Sequence, residues 1–230
     1  DLKSKRLYGF EGLLRWHNDR EGLVNPNEFI LIAEESGFIS ELGEWALNSA
    51  CQFWKESGLA EKGLILSVNI SGKQFGQQGL VGKFHQIIED SGMAFENLCL
   101  EVTESVLMTN ATETAKTLGE FRKHKIKISI DDFGTGYSSL EYLHQFSANT
   151  LKIDMSFVQQ LKKGNKTWEV VRAMIGLAKT FEMDVVGEGV ETETQKLLLE
   201  ELGCQFHQGY FYSRPIRSEN ITKFLEKENL

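Results

Sequence analysis

A parallel α/β barrel is the fold class this sequence predicts, and two observations predict it. Short apolar runs of strand length alternate with longer segments of helical period along the 230 residues. Strict alternation of that kind makes a parallel sheet covered by helices. Each strand-like run also carries a polar residue in it or at its end: Glu11, Asn69, Glu101, Asp131 with Asp132, Lys152, Glu188 and Gln208. A barrel gathers the carboxyl ends of its strands around one mouth, whereas an open sheet spreads them along an edge, so the pattern favours the barrel.

The elements follow in order. Leu7 to Leu14 is apolar and strand-like. Asn25-Pro26 opens a helix near Asn27 to Glu35, with Asn25 as cap and proline in the first turn. A second helix runs from Ile39 to Lys55, with Leu42, Trp45, Ala46, Ser49, Phe53 and Trp54 near helical spacing. Leu64 to Asn69 is a strand and Leu80 to Asp90 a helix. Leu98 to Val102 is a strand, then Thr112 to Lys123 a helix. Lys127 to Asp131 is a strand, with a helix over Ser138 to Phe146. Thr150 to Ile153 is a strand, and Lys166 to Phe181 the longest helical pattern. Asp184 to Gly187 is a strand, Thr192 to Leu202 a helix, and Cys204 to Gln208 the last strand. A helix from Ser218 to Lys227, capped by Ser218, closes the chain. Seven strands are one fewer than a complete barrel needs. Trp45, Trp54 and Trp168 sit on apolar helical faces and are expected in the core; Trp16 either lines the site or covers the barrel rim.

Composition bounds the function. Hydrophobic residues make up 41% and charged residues 25%, with a net charge of -8. That balance argues against bulk nucleic-acid binding, which wants a basic face. No apolar stretch reaches the roughly 18 residues of a membrane span, and no signal-peptide pattern is present, so no direct membrane insertion is expected of this segment. The three cysteines, Cys51, Cys99 and Cys204, are far apart and lack CxxC spacing; they read as buried free thiols in a reducing compartment. With no linker and no repeat, residues 1–230 are expected to form a single domain, and a first residue of Asp rather than Met reads as a piece of a longer protein.

Asp131-Asp132 is the most informative pair. Two adjacent carboxylates at a strand tip repel, and something positive must offset them. Gly134-Thr135-Gly136 then turns toward a helix start, which is where α/β enzymes keep their chemistry. Beside Lys152, the polar ring has five carboxylates and two carboxamides, all hard oxygen donors. None of His17, His85, His124, His144 and His207 falls on it, so zinc fits less well than Mg2+ or Mn2+. That many acids exceed the needs of one ion, and two ions suit the in-line displacement of a phosphate ester. Lys152 would stabilise charge on a phosphoryl oxygen.

The segments Phe10-Glu11-Gly12-Leu13-Leu14-Arg15-Trp16, Ser67-Val68-Asn69-Ile70-Ser71, Leu100-Glu101-Val102-Thr103-Glu104-Ser105, Asp131 to Leu140, Leu151-Lys152-Ile153-Asp154, Gly187-Glu188-Gly189-Val190-Glu191 and Gln208-Gly209-Tyr210 occur in this order. In them, from Asp1 to Ile216, the chain resembles the EAL-domain family of bacterial cyclic-di-GMP phosphodiesterases. The resemblance implies a (β/α)8-like TIM barrel with one antiparallel strand, and Mg2+- or Mn2+-dependent hydrolysis of cyclic di-GMP to linear pGpG by a metal-activated water. It implies that Glu11, Asn69, Glu101 and Asp131 hold one ion, and that Asp131 and Asp132 face a second with Glu188 close by. Lys152 would orient the water or stabilise charge, Glu188 would act as base, and Gln208 would help position the water or the metal shell. Glu104 would anchor the Asp132 to Ser139 loop, and Leu14, Arg15, Pro26 and Glu191 would hold the dinucleotide. The family also implies a homodimer, an attached sensor or GGDEF-type domain, and a cytoplasmic location, including that of the cytoplasmic domain of a membrane-bound protein.

Three departures from the family pattern stand out. Gly12 and Gly187 replace the usual alanines, and the family's upstream strand with a Gln-Pro-Ile core has no counterpart after Asp1, in line with the count of seven. The principal alternative is a catalytically weak or inactive cyclic-di-GMP receptor, and a pure interaction scaffold is the third reading. Taken singly, Glu11 reads equally as an edge-strand polar residue or a ligand, and Asp131-Asp132 equally as a helix-capping pair or a functional one. Lys152 alone reads as a solvated strand-end lysine, and His207 as a histidine that is structural or supports a ligand from behind.

Overall fold

The computed structural model describes residues 1–136, 143 and 145–227, apart from the side chains of Met108, Thr109 and Lys227. The helix expected over residues 138–146 falls mostly outside the described residues. Nine strands are described: β1 Gly9–Gly12, β2 Trp16–Asn18, β3 Gly22–Val24, β4 Ile65–Asn69, β5 Leu98–Thr103, β6 Lys127–Phe133, β7 Thr150–Ile153, β8 Asp184–Gly187 and β9 Phe206–His207. The seven strands expected from the apolar runs are all present. The two that were not expected, β2 and β3, form an antiparallel hairpin of their own.

The chain divides into two compact units. One consists of Gly9–Val102 and Asn110–Lys127. In it β1, β4 and β5 run parallel, with Glu11 opposite Ser67 and Asn69 opposite Glu101. Strand β5 is buried along nearly its whole length, Glu101 included, as expected for a parallel strand covered on both faces. The helix Pro26–Ser36 starts where expected: Asn25 Oδ1 accepts from the Asn27 N–H at 3.0 Å, and proline stands at the first helical position. The helix Ile39–Glu56 buries Ile39, Leu47, Cys51 and Trp54.

Trp45 corrects the sequence reading. It is 58% exposed, because it lies two residues before Leu47 on a helix with 3.6 residues per turn, which turns it well away from the Leu47–Cys51–Trp54 stripe. Trp54 and Trp168 are buried as expected.

The second unit consists of Asp1–Tyr8, Thr103–Thr109 and Ile128–Leu230. Here β6, β7, β8 and β9 run parallel in sequence order. The helix Lys166–Thr180 is capped by Asn165, which accepts from the Trp168 N–H at 2.7 Å, and it buries Val171, Ile175 and Ala178. The helix Glu193–Leu202 begins in a capping box between Thr192 and Gln195. Ser218 is not a cap: it is the first residue of a 3-10 turn, Ser218–Asn220, that leads into the helix Ile221–Lys227. All three cysteines are free and buried. Burial pushes the Cys51 and Cys204 thiols up to about 12, so neither is a nucleophile at neutral pH. No helix among the described residues is long and apolar enough to cross a membrane.

Candidate active site

Successive side chains of a regular strand point to opposite faces, so the neighbours Asp131 and Asp132 should diverge. The β6–β7 ladder shows why they do not. Ile130 pairs with Leu151 and Phe133 with Ile153, which leaves Asp131 and Asp132 together opposite the single residue Lys152. This is a β-bulge, two residues against one. Asp132 takes up the extra length with a left-handed φ of 53°, a conformation that Asp adopts more readily than most residues. As a result Asp131, Asp132 and Glu188 each offer a carboxylate oxygen within 4.8 Å of the others.

Lys152 stands among them. It is 2% exposed, with Nζ 3.1 Å from Asp131 Oδ1 and 2.7 Å from Glu188 Oε1. One ammonium against three carboxylates leaves an excess of negative charge at a place where Lys152 and Asp131 are buried, Glu188 is half-buried and Asp132 is exposed. The donors are hard oxygens without histidine or cysteine, so the set fits Mg2+ or Mn2+.

Glu188 is placed by its backbone N–H, which donates to the Ile153 carbonyl at 3.1 Å. Gln208 is placed similarly, donating through its N–H to the Gly187 carbonyl at 2.9 Å and accepting from the Val190 N–H at 3.0 Å. Beside it, His207 Nδ1 lies 3.0 Å from the Tyr212 hydroxyl oxygen. Burial, with help from the nearby Lys196 ammonium, pushes the His207 imidazole down to about 4. It is therefore neutral at pH 7, in keeping with a structural role.

The loop after Asp132 is held from below. Glu104 is buried, and its Oε2 accepts from the Gly134 N–H at 2.7 Å and the Gly136 N–H at 3.4 Å. Gly134 has φ 99°, and a methyl group there would come 2.2 Å from Met174 Cε and 2.8 Å from Phe157 Cε2. Only glycine fits that position. The rest of the expected loop, residues 137–139, lies outside the described residues.

In the other unit, Asn69 Nδ2 donates to Glu11 Oε1 at 2.7 Å. With its nitrogen so engaged, the carbonyl oxygen is the atom Asn69 can offer a cation. Glu101 is buried next to it in register. Of the residues expected to hold a dinucleotide, Arg15 is exposed and donates from Nη1 to the Leu14 carbonyl at 2.8 Å. Pro26 begins the helix that carries Phe29, whose ring meets Trp16 edge-on at 6.0 Å. Glu191 belongs to the second unit and donates through its N–H to Gln195 Oε1 at 2.8 Å.

The model of the EAL domain matches residues 1–215. The chain belongs to the EAL domain family. The bifunctional diguanylate cyclase/cyclic di-GMP phosphodiesterase MucR of Pseudomonas aeruginosa is 38% identical over 218 residues, 94% of this chain and 32% of MucR. The cyclic di-GMP phosphodiesterase NbdA of the same organism is 37% identical over 225 residues, 97% of this chain and 29% of NbdA. The solved structure of the MucR phosphodiesterase in complex with c-di-GMP superposes with a TM-score of 0.88 at 37% identity, covering 94% of this chain and 88% of that one. The chain spans about a third of the length of the curated relatives it matches. The α/β, TIM-barrel-like fold class expected from the sequence holds for this EAL domain.

The two glycine departures differ in kind. A methyl group at Gly12 would find its nearest neighbour at 3.5 Å, the Ser67 carbonyl oxygen, so nothing fills the space an alanine would take. A methyl group at Gly187 would lie 2.6 Å from Leu199 Cδ1, so in this EAL domain a leucine has moved into that space. The capping box of Ser71 and Gln74 immediately after Asn69 went unread in the sequence, although its Ser-x-x-Gln spacing was there to find.

Proposed function

We propose that this EAL domain is a metal-dependent phosphodiesterase that hydrolyses cyclic di-GMP to linear pGpG. The observation that carries the reading is the buried Lys152 bridging Asp131 and Glu188 beside Asp132. The names of MucR and NbdA, and the c-di-GMP in the MucR structure, support the substrate. Asp131, Asp132 and Glu188 are the ligand set of one unit, and Glu11, Asn69 and Glu101 that of the other. Two ions, Mg2+ or Mn2+, match this number of oxygens. A divalent cation bound there would polarise the phosphoryl oxygen and make water acidic enough to attack phosphorus at neutral pH.

The chain's own residues do the rest. Lys152 offsets charge that develops on the phosphoryl oxygens, and its burial makes that charge count for more than in water. Glu188, within reach of Lys152, is the group placed to take a proton from the attacking water, and Gln208 helps orient that water. Glu104 keeps Asp132 in its left-handed geometry by fixing Gly134 and Gly136. Arg15 can donate a planar pair of hydrogen bonds to a phosphate, with Leu14, Pro26 and Glu191 contributing to the dinucleotide cradle. Residues 1–230 act as a single EAL domain within a longer cytoplasmic signalling chain, joined to a sensor or GGDEF-type domain and paired as a homodimer; the bifunctional name of MucR supports the attached cyclase domain.

The test is incubation of the purified chain with cyclic di-GMP and Mn2+ or Mg2+, followed by chromatography of the nucleotides. The expected product is pGpG, lost in EDTA and in Glu11→Ala and Lys152→Ala. Tight binding of intact cyclic di-GMP with no pGpG would replace this reading with that of a receptor.

A further inference from the structure

Asn69 closes β4, and the chain turns at once through Ile70 and Ser71 into the short helix Gly72–Phe75. The Ile70 N–H donates to the Glu101 carbonyl at 3.0 Å. The Ser71 N–H donates to Gln74 Oε1 at 3.0 Å, and Ser71 Oγ accepts from the Lys73 N–H at 3.2 Å. A capping box uses only the lone pairs of its serine and leaves the hydroxyl proton over. Here that proton goes to Glu34 Oε1 at 2.5 Å. Glu34 belongs to another element, the helix Pro26–Ser36. Gln74 is itself 2% exposed and wedged against the helix Ile39–Glu56, since a methyl group at Gly43 would lie 2.3 Å from its Nε2. The turn is thus clamped from two helices, and the Glu34 contact has an ionisable acceptor, the stronger class of hydrogen bond.

We infer that Glu34 is a positioning residue for Asn69: through the Ser71 hydroxyl it fixes the turn on which the Asn69 carboxamide stands, and so aims its carbonyl oxygen at a cation. This rests on the reading of Asn69 as a metal ligand. Groups that orient ligands in this way typically govern metal affinity by roughly 10–100-fold. Asn69 is itself exposed and at a strand end, where the turn behind it has more to decide than it would inside a ladder.

Mn2+ binding to the chain without nucleotide, read from the electron paramagnetic resonance signal of free Mn2+, tests this apart from turnover. Glu34→Ala should weaken binding by about tenfold or more. Glu34→Gln keeps an oxygen that accepts from Ser71 and should stay near wild-type affinity. Glu34→Asp, one methylene too short, should fall between them, and it serves in place of Glu34→Ala if that variant does not fold. In an Asn69→Ala background, Glu34→Ala should add nothing, because both act through one group. Unchanged affinity in Glu34→Ala, or a full additive loss in the double variant, overturns the inference and leaves the phosphodiesterase reading standing. Wild-type protein that binds no Mn2+ overturns both.

Discussion

Asp131, Asp132 and Glu188 in one unit and Glu11, Asn69 and Glu101 in the other offer oxygens of the same kind, but they are held by different forces. The first set is gathered by the protein's own cation. Lys152 is buried between two carboxylates, and a bulge brings in a third. In the second set, Glu11 is held by the neutral amide of Asn69, at an exposed strand end. The difference teaches where stability and chemistry overlap. Around Lys152 the charges that pair in the fold are the ones proposed to do the chemistry, so the fold depends on the site. Around Asn69 geometry is set by a turn, so the site depends on the fold.

The sharpest way to break this comparison is to remove one holder from each set. Lys152→Ala leaves Asp131 and Glu188 without their buried partner and should cost about 3–5 kcal/mol of stability. Urea denaturation in EDTA would measure it, and Mn2+ should restore part of the loss because a cation replaces the ammonium. Glu11→Ala removes the hydrogen bond that Asn69 Nδ2 donates and should cost about 1 kcal/mol, although it should abolish the proposed pGpG formation just as fully. Equal losses of stability in the two variants would end the distinction.

Glu104→Ala comes next. It strips two backbone N–H groups of a buried acceptor and should cost about 1.5–3 kcal/mol. Hydrogen exchange at Gly134 and Gly136 should quicken, whereas Glu104→Gln, which retains an acceptor, should lie between the variant and wild type. A smaller effect is expected from His207. Its folded value of about 4 lies below the ordinary 6.5, so the unfolded chain takes up the proton first. Its contribution is intact above about pH 6.5 and is lost as the pH falls toward 4. His207→Gln should therefore show a shallower fall in urea midpoint over that window than wild type does. Smallest are the glycines. Gly187→Ala must displace Leu199 Cδ1 and should cost about 1 kcal/mol, while Gly12→Ala meets only ordinary contacts and should raise stability by less than about 1 kcal/mol. Thermal melts of the pair would decide the sign.

Much of the fold was legible because strands such as Leu98–Thr103 and Lys127–Phe133 are short apolar runs with polar flanks. The hairpin Trp16–Asn18 and Gly22–Val24 was not, since three-residue strands that include His17 and Asn18 carry too little period to register. Trp45 was misplaced because its neighbours Ala46 and Ser49 are too small to fix the phase of the apolar stripe. At the site, residue types and order were readable, and so was the opposition of Asp131-Asp132 to a positive charge. The bulge was not, because it depends on the register between β6 and β7, which no local sequence pattern encodes. Nor was the Glu34–Ser71 contact, which joins residues 37 apart in the chain.

The bulge also restricts what position 132 can become. A φ of 53° admits Asp, Asn and Gly with little strain and turns away β-branched side chains. Of those three, only aspartate brings a negative charge. Backbone shape and the proposed ligand chemistry would thus act as two independent filters on one residue, and a single amino acid would pass both. Substitution there leaves two failure modes that can be told apart. Asparagine would keep the shape and lose the charge, and glutamate would keep the charge and lose the shape.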